Sequence, residues 1–345
     1  MTFAELTGAG LPIVQAPMAG VQGSALAIAV CQAGGLGSLP CAMLGPEAMR
    51  RELTAIRAAT DKPFNVNFFC HTPPLPDPSR EAGWHAALAP YYAEFGIDPK
   101  QIAPGPARRP FDADAAAIVE EFRPAVVSFH FGLPGADLVE RVKSAGAKLF
   151  SSATTVDEAR WLEGHGADAV IAQGAEAGGH RGMFLTDDIT TQTGIFALLP
   201  QIVNAVKIPV IAAGGIADLR GIAAVLSLGA IAVQVGTAYL LCPEATTSAV
   251  HRAALKSNAA AHTAITNLFS GKPARGIVNR LMREQGPMSE RVPPFPLAST
   301  ALGPLRATAE GRGDGGFSPL WCGENASGCS EIPAGELTRA LGGKA

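Results

Sequence analysis

The stretch PIVQAPMAG (residues 12–20) reads as a short apolar strand that runs straight into a turn of Gln, Pro and small residues. A G-x-G-x-x-G at this point would have announced a dinucleotide crevice at the switch point of an open, doubly wound sheet. QAPMAG stands there instead, so the alternation along the rest of the chain has to decide the fold.

Seven further apolar runs follow: GLGSLP (35–40), FNVNFF (64–69), AVVSFH (125–130), KLFSSA (148–153), AVIAQG (169–174), PVIAAGG (209–215) and AVQVGT (232–237). Most are separated by helical stretches rich in Ala, Leu and Glu, such as PEAMRRELTAIRAAT (46–60) and TVDEARWLEGHG (155–166). Strands alternating with helices give a parallel sheet. Eight such units closing on themselves form an α/β (β/α)8 TIM barrel, with its chemistry at the carboxyl ends of the strands. The expected division is a barrel over 1–245 and a helical and irregular substrate or lid region over 246–345. Residues 71–114, rich in proline, form an insertion after the third strand that is expected to shape the pocket.

With 345 residues, 48% of them hydrophobic, the chain can bury a large core. Its 27 basic and 30 acidic residues leave no basic field of the kind that nucleic acid requires. Residues 6–46 carry no charge, yet Pro12, Gln15, Pro17, Gln22 and Gln32 break any membrane-spanning helix. No basic segment with an apolar signal core opens the chain, and a cytoplasmic location is expected. Six cysteines, at 31, 41, 70, 242, 322 and 329, lack metal-ligand spacing and read as reduced and structural.

VIAAGGIADLRG (210–221) places Gly214 and Gly215 at the end of strand seven and Asp218 before a helix. On a barrel, the loops after strands seven and eight form the usual phosphate cradle, which brings in Gly236 and Thr237. Asp218 also reads as a plain helix cap. The amides of Asn67 and Gln173 suit a ring edge of alternating donors and acceptors, as in a flavin. Five histidines (71, 85, 165, 251 and 262) read as surface or core groups. His130 and His180 instead lie at or just beyond strand ends. The segment AQGAEAGGHRG (172–182) sets His180 among glycines that are expected to let a loop carry it to the cofactor. An imidazole with a pKa near neutrality can accept or donate a proton there.

The set QAPMAG, AGGLGSL, KPFNVNFFCH, VSFHFG, ATTVDEA, GADAVIAQGAEAGGHRG, PVIAAGGI, GAIAVQVGTAYLLCPE and GKPARGIVNRL, in this order over residues 10–283, resembles the nitronate monooxygenases, formerly grouped as 2-nitropropane dioxygenases. The resemblance implies an FMN-binding barrel that oxidises alkyl nitronates, such as propionate 3-nitronate, with molecular oxygen to a carbonyl product and nitrite. It implies FMN contacts at Ala16, Pro17, Met18, Asn67, Gln173, Gly178, Gly179, Gly214, Gly215, Gln234, Gly236 and Thr237. His180 corresponds to the catalytic histidine, and His130 to a second histidine lining the pocket. Arg181 and Arg275 are candidates for binding a substrate carboxylate, Arg181 being the one assigned to substrate. Family members carry tyrosine and lysine around FPLASTALG, where Ser299 and Gly303 stand here. Expected partners are a small nitronate and oxygen, without metal, nucleic acid or membrane, in a monomer or homodimer. Three alternatives compete with this reading: an FMN-dependent NAD(P)H oxidoreductase for quinones or an enoyl thioester, a nucleotide-oxidising barrel, and a non-catalytic flavoprotein. The second would need a cysteine between Gly174 and Phe184, where there is none.

Overall fold

The fold was analysed on a computed structural model, which describes residues 1–75, 77–102 and 108–343. All eight apolar runs are strands: β1 (Ile13–Gln15), β2 (Gly37–Pro40), β3 (Phe64–Phe69), β4 (Val126–His130), β5 (Lys148–Ala153), β6 (Ala169–Gln173), β7 (Val210–Ala213) and β8 (Ala232–Val235). Every neighbouring pair is parallel, in the order β1-β8-β7-β6-β5-β4-β3-β2. The ring closes where Gln15 N donates to Leu36 O (3.0 Å) and Leu36 N to Ile13 O (2.8 Å). The sequence reading of a (β/α)8 barrel is therefore correct.

Side chains along each strand point alternately inward and outward, and this period builds two layers. In β6 the outward Val170 and Ala172 join the core between strands and helices, while Ala169 and Ile171 fill the barrel interior. Val126, Phe150, Ile211 and Ala232 share that interior, and the helix Phe3–Thr7 plugs its amino-terminal end with Phe3 and Leu6. Nearer the middle the interior turns polar. Asn65 Nδ2 donates to the hydroxyls of Ser38 (3.0 Å) and Ser128 (2.9 Å), and Asn67 Nδ2 to Ser128 Oγ (3.0 Å). The interior here is thus held by the hydrogen-bonded Nδ2 groups of two amides rather than by apolar filling.

The two segments outside the βα rhythm meet each other. Helix Pro78–Phe95 packs on helix Ala298–Gly311, and Tyr92 OH donates to Ala301 O at 2.8 Å. Trp84, Leu88, Leu302, Leu305 and Phe317 form their common core. Helix Ala334–Leu341 returns to the barrel layer, where Leu337 and Leu341 join its core. Two antiparallel strands of the carboxyl-terminal region, β9 (Thr263–Thr266) and β10 (Ala274–Ile277), form a small sheet completed by Gly179–His180. Among the described residues no helix is long and apolar enough to cross a membrane. The six cysteines are unpaired.

Close packing on the barrel can be checked at glycine. A Cβ at Gly37 would collide with the Ala27 carbonyl and lie 2.8 Å from Ala27 Cα, whereas one at Gly303, inside a helix, meets nothing within 4 Å. Gly37→Ala is expected to cost about 3 kcal/mol, and Gly303→Ala to add about 0.5–1 kcal/mol. Urea unfolding of the two variants measures both, and equal effects would contradict this packing.

Candidate active site

A cavity opens at the carboxyl ends of the strands. Its wall contains Ala16, Pro17 and Met18 after β1, Asn67 on β3, His130 on β4, Gln173 on β6, and Gly178, Gly179 and His180 beyond it. Gly214 and Gly215 after β7, Gln234 on β8, and Gly236 and Thr237 after it complete the set expected from sequence. Arg181 and Arg275, the two carboxylate candidates, are absent from the wall.

His180 does not ride on a pliant loop. It pairs with Ala274 of β10 and Gly179 pairs with Arg275, so the glycine-rich segment is a strand at this point. Gly179 has φ 72°, a left-handed conformation that favours glycine. A Cβ on Gly178 would lie 2.6 Å from Cys322 C, so that glycine serves close packing rather than motion. The His180 carbonyl accepts from Gln173 Nε2 (2.9 Å) and from His130 Nε2 (3.1 Å). Gln173 Oε1 accepts from Gly182 N (2.7 Å), so both polar atoms of this amide hold the chain around the histidine.

A carbonyl only accepts, so His130 carries its proton on Nε2, and its Nδ1 accepts from Ser152 Oγ at 3.1 Å. Both ring nitrogens of His130 are therefore engaged by protein. His180 Nε2 lies 2.8 Å from Ser270 Oγ, and its Nδ1 has no hydrogen-bond partner among the described residues. Phe295, Trp321, Phe131 and Phe69 surround the ring at 5.4, 5.6, 5.9 and 6.1 Å. Burial in this cage holds the His180 pKa well below its ordinary value, and the charges of Arg108 and Lys272 push it the same way. Burial likewise brings His130 down to about 4. Both rings are neutral at pH 7.

Arg181 is fully buried and turned away from the cavity, a correction to its expected substrate role. Its guanidinium donates to Gln192 Oε1 (2.8 Å), Gly174 O (2.8 Å) and Gln173 O (2.7 Å). Arg275 is a second strut, donating to Ala175 O (2.8 Å) and Thr263 Oγ1 (3.1 Å) and pairing with Glu324 at 2.9 Å. The buried Glu158 accepts from Thr154 N (2.7 Å), Thr154 Oγ1 (2.8 Å) and Phe184 N (2.6 Å), fixing the chain beyond His180. Asp218 caps helix Leu219–Ser227 through Gly221 N, as its plain reading had it.

Sequence reasoning missed Arg108, His251, Trp321, Gly323 and Asn325 on the wall. It also missed Ser270, which bonds to His180. All lie in segments without strand or helix periodicity around a motif, except His251, whose place on helix Ala249–Leu255 carried no distinguishing signal. Burial also lowers His251 to about 4. Ser299 and Gly303 lie off the cavity wall, and Ser299 Oγ donates to Pro296 O at 2.8 Å.

The neutral histidines give stability a sign with pH. His130 and His251 hold folded values of about 4 against an ordinary 6.5, so the unfolded chain binds more protons between those values. The stability they contribute is present above pH 6.5 and is lost as pH falls toward 4, on the order of 2–4 kcal/mol between pH 7 and pH 5. Urea midpoints at the two pH values measure this, and an unchanged midpoint would refute the assignment of neutral, buried rings.

The family model described as nitronate monooxygenase matches residues 2–342. A nitronate monooxygenase of Pseudomonas aeruginosa is 44% identical over 344 residues, covering 98% of this chain and 97% of that protein. One of Paraburkholderia phytofirmans is 43% identical, covering 97% and 92%. Among solved structures, a nitroalkane oxidase from Streptomyces ansochromogenes superposes with a TM-score of 0.89 at 39% identity, covering 99% of this chain and 96% of that one. FabK from Thermotoga maritima superposes with a TM-score of 0.74 at 29% identity, covering 99% and 94%.

Proposed function

The chain belongs to the nitronate monooxygenase family of enzymes, and from that premise we propose that its cavity binds FMN and oxidises alkyl nitronates with molecular oxygen to a carbonyl product and nitrite. Propionate 3-nitronate is the substrate we put forward. The observation that carries this reading is a neutral, immobilised His180 with an unengaged ring nitrogen at the mouth of a barrel whose other wall residues suit a flavin.

The residues present fit that cofactor. Gln234 Oε1 is buried at the cavity wall without a partner among the described residues, an acceptor suited to a flavin ring N–H. Gly214 (φ 119°) and Gly215 (φ 68°) adopt backbone conformations that favour glycine, and a phosphate can approach their backbone without meeting a side chain. Gly236 and Thr237 face the same space, with Gly323 N bonded to Thr237 Oγ1 at 3.0 Å. Asn67 and Gln173 would border the ring. When bound, FMN supplies the electron acceptor for the nitronate and the reductant for oxygen.

A nitronate is already an anion, so binding it calls for a hydrogen-bond donor rather than a base. Ser270 Oγ can turn its proton toward His180 Nε2, which leaves the ring proton on Nδ1 for a nitronate oxygen. With a neutral nitroalkane the roles reverse. Ser270 then donates to Lys272 O (3.2 Å), accepts from Nε2–H, and leaves the Nδ1 lone pair to take the carbon proton. The aromatic cage keeps water from the reacting carbon, and the insertion together with the carboxyl-terminal region acts as the cap.

Purified, FMN-loaded protein given propionate 3-nitronate without NADH should consume oxygen and form nitrite. His180→Asn should lower kcat/KM by about 100-fold or more, and Ser270→Ala by about 10-fold. The likeness to FabK leaves a pyridine-nucleotide-dependent reductase as the competing reading. Absence of oxygen uptake with the nitronate, together with flavin bleaching by NADH, would replace the proposal with that one.

A further inference from the structure

We propose that Arg108 anchors a second anionic group of the substrate, a carboxylate carried beyond the nitronate carbon, and so determines which nitronates the enzyme prefers. This rests on the nitronate reading above and adds to it a residue outside every motif of the barrel.

Arg108 lines the cavity, and its Nη1 is buried without a hydrogen-bond partner among the described residues. The other two guanidiniums near the site are saturated. Arg181 donates to three protein oxygens, and Arg275 donates to two and pairs with Glu324. No Asp or Glu stands among the described wall residues, so nothing in the cavity neutralises Arg108. Its charged surroundings are cationic: Arg306 adds to the effect of burial in lowering its pKa, and Arg108 and Lys272 both act on His180.

A guanidinium with a buried, open donor is costly unless a ligand supplies the missing anion. Its planar fork matches a carboxylate, to which it can give two parallel hydrogen bonds. Position sets the reading apart from a general attraction. The Arg108 guanidinium lies 5.5 Å from the centre of the Phe295 ring, and the His180 ring lies 5.4 Å from the same centre. One aromatic ring thus has the nitronate-binding imidazole and the free guanidinium for neighbours. Both side chains line the same cavity, so a short ligand with a nitronate at one end and a carboxylate at the other can engage the two together.

The test compares propionate 3-nitronate with propyl-1-nitronate, which carries a methyl in place of the carboxylate. In wild type, kcat/KM should favour the carboxylated substrate, and Arg108→Gln should reduce that preference about 30-fold. Arg108→Lys, which keeps the charge and loses the fork, should reduce it by a smaller factor. A readout independent of turnover is calorimetric titration of the FMN-loaded protein with 3-nitropropionate. Its Kd should rise at least about 10-fold in Arg108→Gln relative to the change for 1-nitropropane.

A preference ratio and a 3-nitropropionate affinity that both stay at wild-type values in Arg108→Gln would overturn the proposal, as would equal losses for both members of each pair. Should Arg108→Gln fail to fold, Arg108→Lys decides on the same ratios. If wild type consumes neither nitronate but binds 3-nitropropionate through Arg108, the nitronate reading falls and the anion subsite stands.

Discussion

The His180 carbonyl oxygen, accepting from Gln173 and His130 together, is the constraint on which the site depends. A buried imidazole is often oriented by a carboxylate, but none stands among the described residues of this cavity wall. Orientation comes instead from the main chain. Gln173 Oε1 grips Gly182 N, Arg181 ties down the carbonyls of Gln173 and Gly174, and Arg275 ties down that of Ala175. Pairing of Gly179–His180 with β10 then joins this segment to the carboxyl-terminal region. The segment that carries His180 is therefore held from both sides, by barrel side chains and by the carboxyl-terminal strand.

Neutrality follows from the same arrangement. Aromatic rings strip water from His180, and the nearest charges are cations, so the protonated ring would be surrounded by repulsion with no counter-ion. Burial forces His130 to the same state, against the hydrogen bond to the His180 carbonyl, which favours the cation. An environment that rejects a proton on its histidines is also one that welcomes an anionic ligand. The positive potential is a standing cost to the empty protein and a gain to the complex.

The barrel was legible in the sequence because a strand buried on both faces in a βα alternation leaves a strong signal, and all eight runs fell where the pattern put them. The glycines and amides at strand ends were legible for the same reason, since the barrel alone says which end of a strand meets the cavity. Side-chain direction was not. His180 and Arg181 are adjacent, and in extended chain neighbours point to opposite faces, so only one of them could enter the cavity. The glycines around His180 suggested a mobile loop because composition reports conformational freedom. It cannot report that a neighbouring backbone, here Cys322 and Gly323, is packed against them. Ser270, Arg108 and Phe295 come from the insertion and the tail, and only tertiary structure brings them to His180 or to one another.

The division of labour between regular and irregular parts has a physical logic. A cofactor of fixed shape can be met by strand ends, whose positions the barrel sets within narrow limits, and the residues proposed to hold FMN lie mostly there. Substrates differ in the group attached to the nitronate carbon, and that end is walled by segments the barrel does not constrain. Ser299 and Gly303 lie off the wall and offer it no charge. The insertion instead brings Arg108 to the same ring, Phe295, that contacts His180. A cation supplied from an irregular segment makes the potential of the cavity positive without altering the strand ends.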